Sequence, residues 1–255
     1  MKEIIFDIGK EELKDFLNLL KEMLKMNDEF KFLFLENGLL VYTIIGEANT
    51  EKMNALKIFK FKNSKFFKNF PKDLTLDLTF MEGKMLYEKM NNLLDTKNEF
   101  ISIKISYNKE NIGYSFSGSN DYLEVRTICQ SNKSIKKLSF EIVDAKLNPE
   151  FSELKFKINN ETMDKIIKLS KLDKTNELIS VRIDNNDIYF SEKEWDLKIG
   201  TVENFKNTKW DFKKEYLQYF KNDEAQKDFW FSIFSTFIVL DETKSYLMFA
   251  MDLTE

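Results

Sequence analysis

ELKFKINNETMDKIIKLSKL, residues 153–172, changes within one segment from alternating to helical spacing of its apolar residues. Strict alternation is typical of a half-buried strand, and apolar residues three and four apart are typical of an amphipathic helix. The next residues, 178–192 (LISVRIDNNDIYFSE) and 195–202 (WDLKIGTV), predict a hairpin and one further strand. The whole segment therefore predicts a β-α-β-β-β unit.

The same unit recurs along the chain. Residues 3–20, EIIFDIGKEELKDFLNLL, match residues 153–170 almost position for position. A second copy spans residues 73–128, and a fourth, less regular copy begins at Trp210 with a predicted helix over residues 213–222. Because internal repetition determines the architecture, we expect four similar units with helices beginning near residues 10, 82, 160 and 213.

The four units form two pairs along the chain. A longer, less regular stretch at residues 130–150, which includes Pro149, separates the pairs. A polar, proline-marked stretch between two similar halves is typical of a domain boundary. We therefore predict an α+β fold of two domains, residues 1–143 and 144–255. Each domain is a doubled β-α-β-β-β unit with its helices on one face of antiparallel sheets.

Composition excludes several classes of function. The 255 residues include no histidine, which excludes Ser-His-Asp and Cys-His catalysis and His-ligated zinc. No phosphate-binding glycine motif occurs among the 7 glycines, so we expect no catalytic residues, no metal and no cofactor. No window approaches the ~18–20 apolar residues of a membrane span, and the single cysteine, Cys129, favours a reducing compartment. These features predict a cytoplasmic binding protein that does not contact membranes.

Lysine carries nearly all the positive charge. Only two of the 39 basic residues are arginines, Arg126 and Arg182, and 43 acidic residues give a net charge of −4. Helical spacing gathers lysines on the solvent side of each predicted helix, either as an ordinary solvated face or as a surface for phosphates. A lysine ammonium suits sequence-independent phosphate contact because it is a point charge on a flexible stem. The candidate DNA-binding residues are Lys10, Lys14, Lys21, Lys25, Lys84, Lys89, Lys165, Lys168, Lys171, Lys213 and Lys214.

The repeated units, the connector and the last strand, KSYLMFAMDLTE (residues 244–255), resemble the DNA sliding clamps, in particular those of tailed bacteriophages and their PCNA-type relatives. The short fourth helix departs from that pattern. The resemblance implies a ring whose helices face duplex DNA, bound without sequence specificity. It also implies that a replicative DNA polymerase is tethered for processive synthesis, that a clamp loader is a partner, and that a viral protein would act in the cytoplasm of the host cell.

The resemblance further implies a pocket beside the connector where partner peptides bind. Ordinary core packing of alternating strand residues is the alternative explanation for the same side chains. The candidate pocket residues are Leu147, Pro149, Phe151, Phe249, Met251 and Leu253.

A size estimate favours a homotrimer. At ~10 Å per helix, the eight helices of a dimer leave an opening of ~15 Å and the twelve of a trimer an opening of ~28 Å. Only the larger opening admits a duplex whose major groove alone is ~8 Å deep. A repeated head-to-tail contact would also cover the sheet edges.

Two alternatives remain. One is a non-ring adaptor, either a monomeric processivity factor or a transcription coactivator, which the mass in solution distinguishes from a ring. The other is a metal-dependent nuclease using Asp187, Glu192 and Lys193, which would need carboxylates that converge around ions ~4 Å apart.

Overall fold

The computed structural model describes residues 1–35, 38–45, 55–61, 69–71, 74–130, 148, 150, 152–220, 227–232, 236–240, 245–250 and 252–254. The chain forms two compact units. Unit 1 comprises Met1–Glu51 and Leu56–Lys137, and unit 2 comprises Lys52–Ala55 and Leu138–Glu255. The boundary predicted between residues 143 and 144 lies outside the described residues and stays a prediction.

The described residues of unit 1 form two helices and eight strands. In chain order they are β1 (Lys2–Gly9), α1 (Lys10–Leu24), β2 (Phe30–Leu35), β3 (Gly38–Ile45), β4 (Ala55–Phe61), β5 (Leu76–Phe80), α2 (Gly83–Asn92), β6 (Phe100–Tyr107), β7 (Gly113–Ser119) and β8 (Glu124–Ile128). One sheet has the order β1-β6-β7-β8, and in the other β5, β2, β3 and β4 lie side by side. The pairs β1–β6, β6–β7, β7–β8, β2–β3 and β2–β5 are all antiparallel.

A chain of phenylalanine rings fills the core of unit 1. The Phe16 ring of α1 lies 5.6 Å from Phe32 of β2, and Phe32 lies 4.8 Å from Phe80 of β5. Phe80 in turn lies 5.8 Å from Phe116 of β7, on the other sheet. All four are buried, and each contributes roughly 1.5–3 kcal/mol through removal from water. The helical and strand patterns of the sequence thus meet in one shared core.

Unit 2 repeats the arrangement with one fewer α-helix among the residues that the structure describes. Its elements are β9 (Ser152–Ile158), α3 (Asn160–Leu169), β10 (Leu178–Asp184), β11 (Asp187–Glu192), β12 (Trp195–Thr201), β13 (Thr208–Lys213), a 3-10 helix (Lys214–Phe220), β14 (Lys227–Ser232), β15 (Thr236–Leu240), β16 (Ser245–Ala250) and β17 (Asp252–Thr254). One sheet has the order β12-β11-β10-β13-β17, and β9, β14, β15 and β16 lie side by side. The predicted α+β architecture with antiparallel sheets is confirmed.

Local sequence explains how the elements of unit 2 begin and turn. The Asn159 side chain accepts the Thr162 N–H at 2.9 Å, which caps the start of α3. Strands β10 and β11 join through Asn185 and Asn186, with φ of 49° and 68°. Asparagine tolerates this left-handed backbone, so the pair forms a tight two-residue hairpin.

The predicted fourth α-helix, residues 213–222, is wrong. Lys213 ends β13, where it pairs with Leu178, and residues 214–220 form a 3-10 helix, while 221 and 222 lie outside the described residues. The strand ladder holds Lys213 extended, and the Lys214 N–H continues it by donating to the Glu177 carbonyl at 2.8 Å. Tertiary pairing therefore overrides the local helical pattern at Lys213. Throughout the described part of the chain, no helix is both long and apolar enough to cross a membrane.

Candidate nucleic-acid interface

Helix α1 presents lysines along one side of its solvent face, next to its buried residues. Its buried face comprises Leu13, Phe16, Leu17, Leu19, Leu20 and Met23. The side chains of Lys14 and Lys25 are about half exposed, at 47% and 46%, and Lys21 is exposed. The solvent face of α1 therefore carries ammonium groups along its length.

Acidic neighbours partly neutralise these lysines. The Lys14 Nζ lies 2.6 Å from a Glu11 carboxylate oxygen, and Lys25 makes the same contact with Glu22 at 2.6 Å. Such exposed pairs are worth about 0–1 kcal/mol, so a phosphate can replace the carboxylate at little cost. Lys21 makes no ion pair with any described residue and is the most available ammonium on this helix.

Lys10 has a structural contact instead. Its ammonium donates to the Thr96 carbonyl at 2.7 Å in a partly buried position. The Lys10 N–H also donates to the Glu99 carbonyl at 2.9 Å. Lys10 therefore joins the start of α1 to the loop that follows α2.

Helix α2 offers one available lysine. Lys84 is exposed near the start of the helix, where its backbone N–H donates to Asp28. The Lys89 ammonium donates to the carbonyl of Arg126 in β8 at 2.7 Å. Both lysines are predicted to contact DNA, but only Lys84 has an ammonium that is not held by a backbone carbonyl of a described residue.

Helix α3 has the least encumbered lysines. It buries Met163, Ile166 and Ile167, and Lys168 and Lys171 lie exposed without an ion pair to any described residue. Lys165 pairs with Glu161 at 2.7 Å, and this hydrogen bond lowers the pKa of the Glu161 carboxyl. The spacing of the sequence therefore places lysines on the solvent side of α3 as it does on α1.

Lys213 and Lys214 lack the expected helical setting. Lys213 lies at the end of β13, 3.9 Å from Glu215. The Lys214 ammonium is mostly buried, donates to the Asp173 carbonyl and lies 3.4 Å from the buried Glu192 carboxylate. Burial raises the pKa of the Glu192 carboxyl, and the charge of Lys214 opposes that rise. Lys214 is therefore a structural residue.

A cavity of about 480 Å³ lies between α3 and the 3-10 helix, and the sequence did not predict it. Its lining contains lysine, glutamate and apolar side chains. Because the positive and negative charges nearly balance, the cavity is a poor site for phosphate. The only sequence signal for it is the irregular fourth repeat. The cavity is lined by Ile167, Ser170, Lys171, Asn176, Glu177, Lys213, Lys214, Glu215 and Leu217.

The predicted peptide pocket falls largely outside the described residues. This holds for Leu147, Pro149, Phe151 and Met251. Phe249 lies in β16 opposite Phe237, and Leu253 lies in β17 opposite Trp210. The grouping of these six residues stays a prediction.

The nuclease residues do not converge. Asp187 and Glu192 stand at the two ends of β11, and five residues of strand span about 17 Å. Lys198 contacts the Asp187 carboxylate at 2.7 Å and lowers its pKa, while Lys214 faces Glu192. Lys193 lies in the following turn. The described residues include no group of three or more His, Cys, Asp or Glu that could hold a metal ion.

In sequence, the chain matches no protein-family model and no curated protein. In structure, it is similar over 97% of its length to all of the PCNA of Thermococcus kodakaraensis, with a TM-score of 0.60 and 12% identity. It is similar over 99% to 99% of A. fulgidus PCNA bound to the C-terminal region of FEN-1 (TM-score 0.57, 14% identity). It also matches the DNA polymerase III subunit beta of Borrelia burgdorferi over 97% of this chain and 64% of that one (TM-score 0.60, 12% identity). The predicted resemblance is confirmed in architecture, and the chain has the fold of the DNA sliding clamps.

Proposed function

We propose that the protein is a non-enzymatic sliding clamp that encircles duplex DNA without sequence specificity and tethers a replicative polymerase for processive synthesis. The main support is the similarity of nearly the whole chain, 97–99%, to clamps of similar length. The exposed lysines of α1 and α3 are the second support, because both repeats carry them on the solvent side of the helix and Lys21 and Lys171 occupy matching positions.

DNA contact would depend on exposed lysines rather than on base recognition. Lys21, Lys84, Lys168 and Lys171 are exposed without an ion pair to a described residue. Ammonium groups on flexible stems release counterions from phosphates without reading sequence, so the complex slides and weakens as salt rises. Lys10, Lys89 and Lys214 contribute less as long as they hold their carbonyl partners.

The ring would be a homotrimer closed by a head-to-tail contact. A trimer brings together nine α-helices and three 3-10 helices of the described elements, which suits the opening of ~28 Å estimated for twelve helices. Strands β8 and β12 each stand at the edge of a sheet and offer one half of such a contact.

Protein partners would include the polymerase and a clamp loader. The A. fulgidus PCNA structure holds the C-terminal region of FEN-1, which supports a peptide-binding surface in proteins of this fold. We assign that surface to Leu147, Pro149, Phe151, Phe249, Met251 and Leu253. A viral clamp would act in the cytoplasm of the host cell.

The decisive experiment compares circular and linear DNA. The protein is incubated with nicked circular plasmid, and bound protein is separated by gel filtration in moderate salt. Protein that stays on the circle and leaves after one restriction cut encircles DNA. Equal retention on both forms, or a solution mass of one chain, would instead support the monomeric adaptor.

A second experiment tests the helix lysines. Replacing Lys14, Lys21, Lys165 and Lys168 together by glutamate should abolish support of processive primer extension, because eight units of charge change on the DNA side. Circular dichroism should stay unchanged, since all four side chains are exposed. Normal primer extension by this variant would contradict DNA passage along α1 and α3.

A further inference from the structure

The cavity between α3 and the 3-10 helix has the size of a small-molecule site. Its volume of about 480 Å³ lies within the range of about 300–1,000 Å³ that is typical of ligand pockets. Two apolar side chains line it, Ile167 of α3 and Leu217 of the 3-10 helix, and both belong to the buried core of unit 2. They offer a surface from which an apolar part of a ligand can displace water.

Unit 1 has a larger side chain at the equivalent position. The match between residues 3–20 and 153–170 aligns Leu20 with Ser170. Leu20 is fully buried in α1, whereas the small Ser170 lines the cavity. The Ser170 hydroxyl donates to the Ile167 carbonyl of its own helix at 3.0 Å and does not reach across the cavity. The shorter side chain therefore leaves space beside α3 that a leucine would reduce.

Two exposed leucines adjoin residues that line the cavity. Leu172, which is 72% exposed, follows Lys171 directly after the end of α3. Leu178, which is 43% exposed, follows Glu177 and pairs with Lys213. Because exposed apolar groups that gather at one place often mark a binding site, these leucines favour a ligand with an apolar body.

Most charges in the lining already have partners within the protein. The Lys214 ammonium donates to the Asp173 carbonyl and lies 3.4 Å from the buried Glu192 carboxylate. The Lys213 ammonium lies 3.9 Å from the Glu215 carboxylate. These groups therefore contribute little net charge to a ligand in the cavity.

Lys171 and Glu177 are the other two charged residues of the lining. Both are exposed, and neither side chain makes an ion pair or hydrogen bond with a described residue. The Glu177 carbonyl accepts the Lys214 N–H at 2.8 Å, which fixes its backbone beside the 3-10 helix. The cavity thus combines one available ammonium, one available carboxylate and an apolar surface.

We infer that this cavity binds a small zwitterion with an apolar body, of the class of apolar amino acids and short apolar peptides with free termini. The ligand carboxylate contacts Lys171, its ammonium group contacts Glu177, and its side chains pack against Ile167 and Leu217. A phosphate would meet the Glu177 carboxylate as a like charge, and an uncharged ligand would use neither available group. The inference goes beyond the clamp function and requires neither the ring nor DNA.

Methyl NMR tests the site directly. The full-length protein, isotope-labelled at isoleucine and leucine methyl groups, is titrated with L-leucyl-L-leucine and, in a second series, with L-leucine. The Ile167 and Leu217 signals should shift and saturate, with a Kd on the order of 1 mM for ligands of this size. The ligand with the lower Kd identifies whether a peptide or a free amino acid is preferred. If neither ligand shifts these signals saturably, the inference is wrong.

Blocked ligands test the two charges separately. L-leucyl-L-leucinamide lacks the carboxylate, and N-acetyl-L-leucyl-L-leucine lacks the ammonium group. Each should bind roughly two- to fivefold more weakly than L-leucyl-L-leucine, since an exposed ion pair contributes only modestly. A blocked ligand that binds as tightly as the parent contradicts the contact assigned to the missing charge.

Two variants connect each ligand charge to one residue. K171Q should weaken binding of L-leucyl-L-leucine by the same factor and leave binding of the amide unchanged, because the amide has no carboxylate to lose. E177Q should likewise affect the parent but not the N-acetyl ligand. Both side chains are exposed, so both variants should fold normally. Equal losses for parent and blocked ligands would show that the assigned contacts do not exist.

Ser170→Leu tests the cavity itself. It introduces the residue that unit 1 has at the equivalent position, and it fills space that the ligand would occupy. Binding should weaken roughly tenfold or more, because the ligand and the new side chain cannot both fit. The matched control S170A removes the same hydroxyl without filling the cavity and should bind like the wild type. Equal binding by S170L and S170A would place the ligand elsewhere and refute the inference. If S170L does not fold, the K171Q and E177Q results decide.

Discussion

Units 1 and 2 share strand order but differ in what covers their sheets. Among the described residues, unit 1 has two α-helices, and unit 2 has α3 and a 3-10 helix of seven residues. The strands β2, β3 and β5 of unit 1 correspond to β10, β11 and β13 of unit 2, with the same antiparallel neighbours. Strand pairing therefore defines this fold, because the same ladder persists where a 3-10 helix stands in place of an α-helix.

A buried polar contact differs between the units at related places. In unit 1, Lys31 of β2 lies 3.1 Å from Asp77 of β5, with side chains 0% and 6% exposed. In unit 2, the Ser180 hydroxyl of β10 donates to Asp211 of β13, also buried. The buried contact between these strands is thus an ion pair in unit 1 and a hydrogen bond between a hydroxyl and a carboxylate in unit 2.

The chain contains separate probes for the two units. Its three tryptophans, Trp195, Trp210 and Trp230, are in unit 2, and its single cysteine, Cys129, is in unit 1. Tryptophan fluorescence therefore reports on unit 2. Burial raises the Cys129 pKa to about 12, so its thiol reacts only when unit 1 opens.

The largest effect is expected for Lys31→Ala. It leaves the Asp77 carboxylate buried without its ammonium partner, which costs about 3–5 kcal/mol in free energy of unfolding. Urea titration with a thiol reagent should show Cys129 reacting at much lower urea. The tryptophan transition should move less, because all three tryptophans are in unit 2.

The control for that experiment is K31M/D77L, which replaces both partners by apolar residues. It should recover most of the stability, because no buried charge is left uncompensated. A double variant that is as unstable as Lys31→Ala would contradict the cost assigned to the uncompensated Asp77 carboxylate.

Ser180→Ala should have a smaller effect on unit 2. The variant removes one hydrogen bond to Asp211, whose carboxylate still lies 3.2 Å from the Lys209 ammonium. The free energy of unfolding should therefore fall by only about 1–2 kcal/mol. The tryptophan transition should move to lower urea, with Cys129 reactivity unchanged. Ser191→Ala, on the neighbouring strand β11, is a matched control without that carboxylate partner.

These differences separate what the sequence predicts from what it does not. Periodicity predicts the buried faces of α1 and α3, and the Asn185-Asn186 pair predicts its hairpin, because the causes lie within a few residues. The predicted fourth helix is wrong at its start because the ladder with Leu178, distant in sequence, holds Lys213 extended, and the residues that follow form a 3-10 helix in place of an α-helix.

The same distinction applies to the lysines of the candidate interface. Spacing alone predicts that Lys21, Lys168 and Lys171 are exposed. It cannot reveal that Lys10 and Lys89 bind backbone carbonyls 86 and 37 residues away, because these contacts exist only in the folded chain. The sequence therefore predicts well which face of a helix carries lysines. It predicts less well which of their ammonium groups are free of backbone contacts and available to phosphates.

Lysines with and without a carboxylate partner can be compared to test which ammonium groups contact DNA. K168Q/K171Q on α3 should reduce the slope of log affinity for duplex DNA against log salt by about 1.8, since each lost phosphate contact removes about 0.9. K14Q/K25Q on α1 should reduce it by less, because these lysines already contact Glu11 and Glu22. Fluorescence anisotropy of a labelled duplex at several salt concentrations measures both slopes. Equal slopes would mean that the carboxylates do not compete with phosphate.

The smallest effect is expected when those competing carboxylates are neutralised. E11Q/E22Q frees Lys14 and Lys25 from partners 2.6 Å away, so DNA affinity should rise. Because an exposed helical pair is worth about 0.3–0.5 kcal/mol, the gain should be roughly two- to fivefold. The control E110Q/E203Q changes net charge equally at exposed sites outside the helices and should give a smaller gain. If both variants gain equally, net charge alone governs binding, and the lysine faces of α1 and α3 have no privileged contact with DNA.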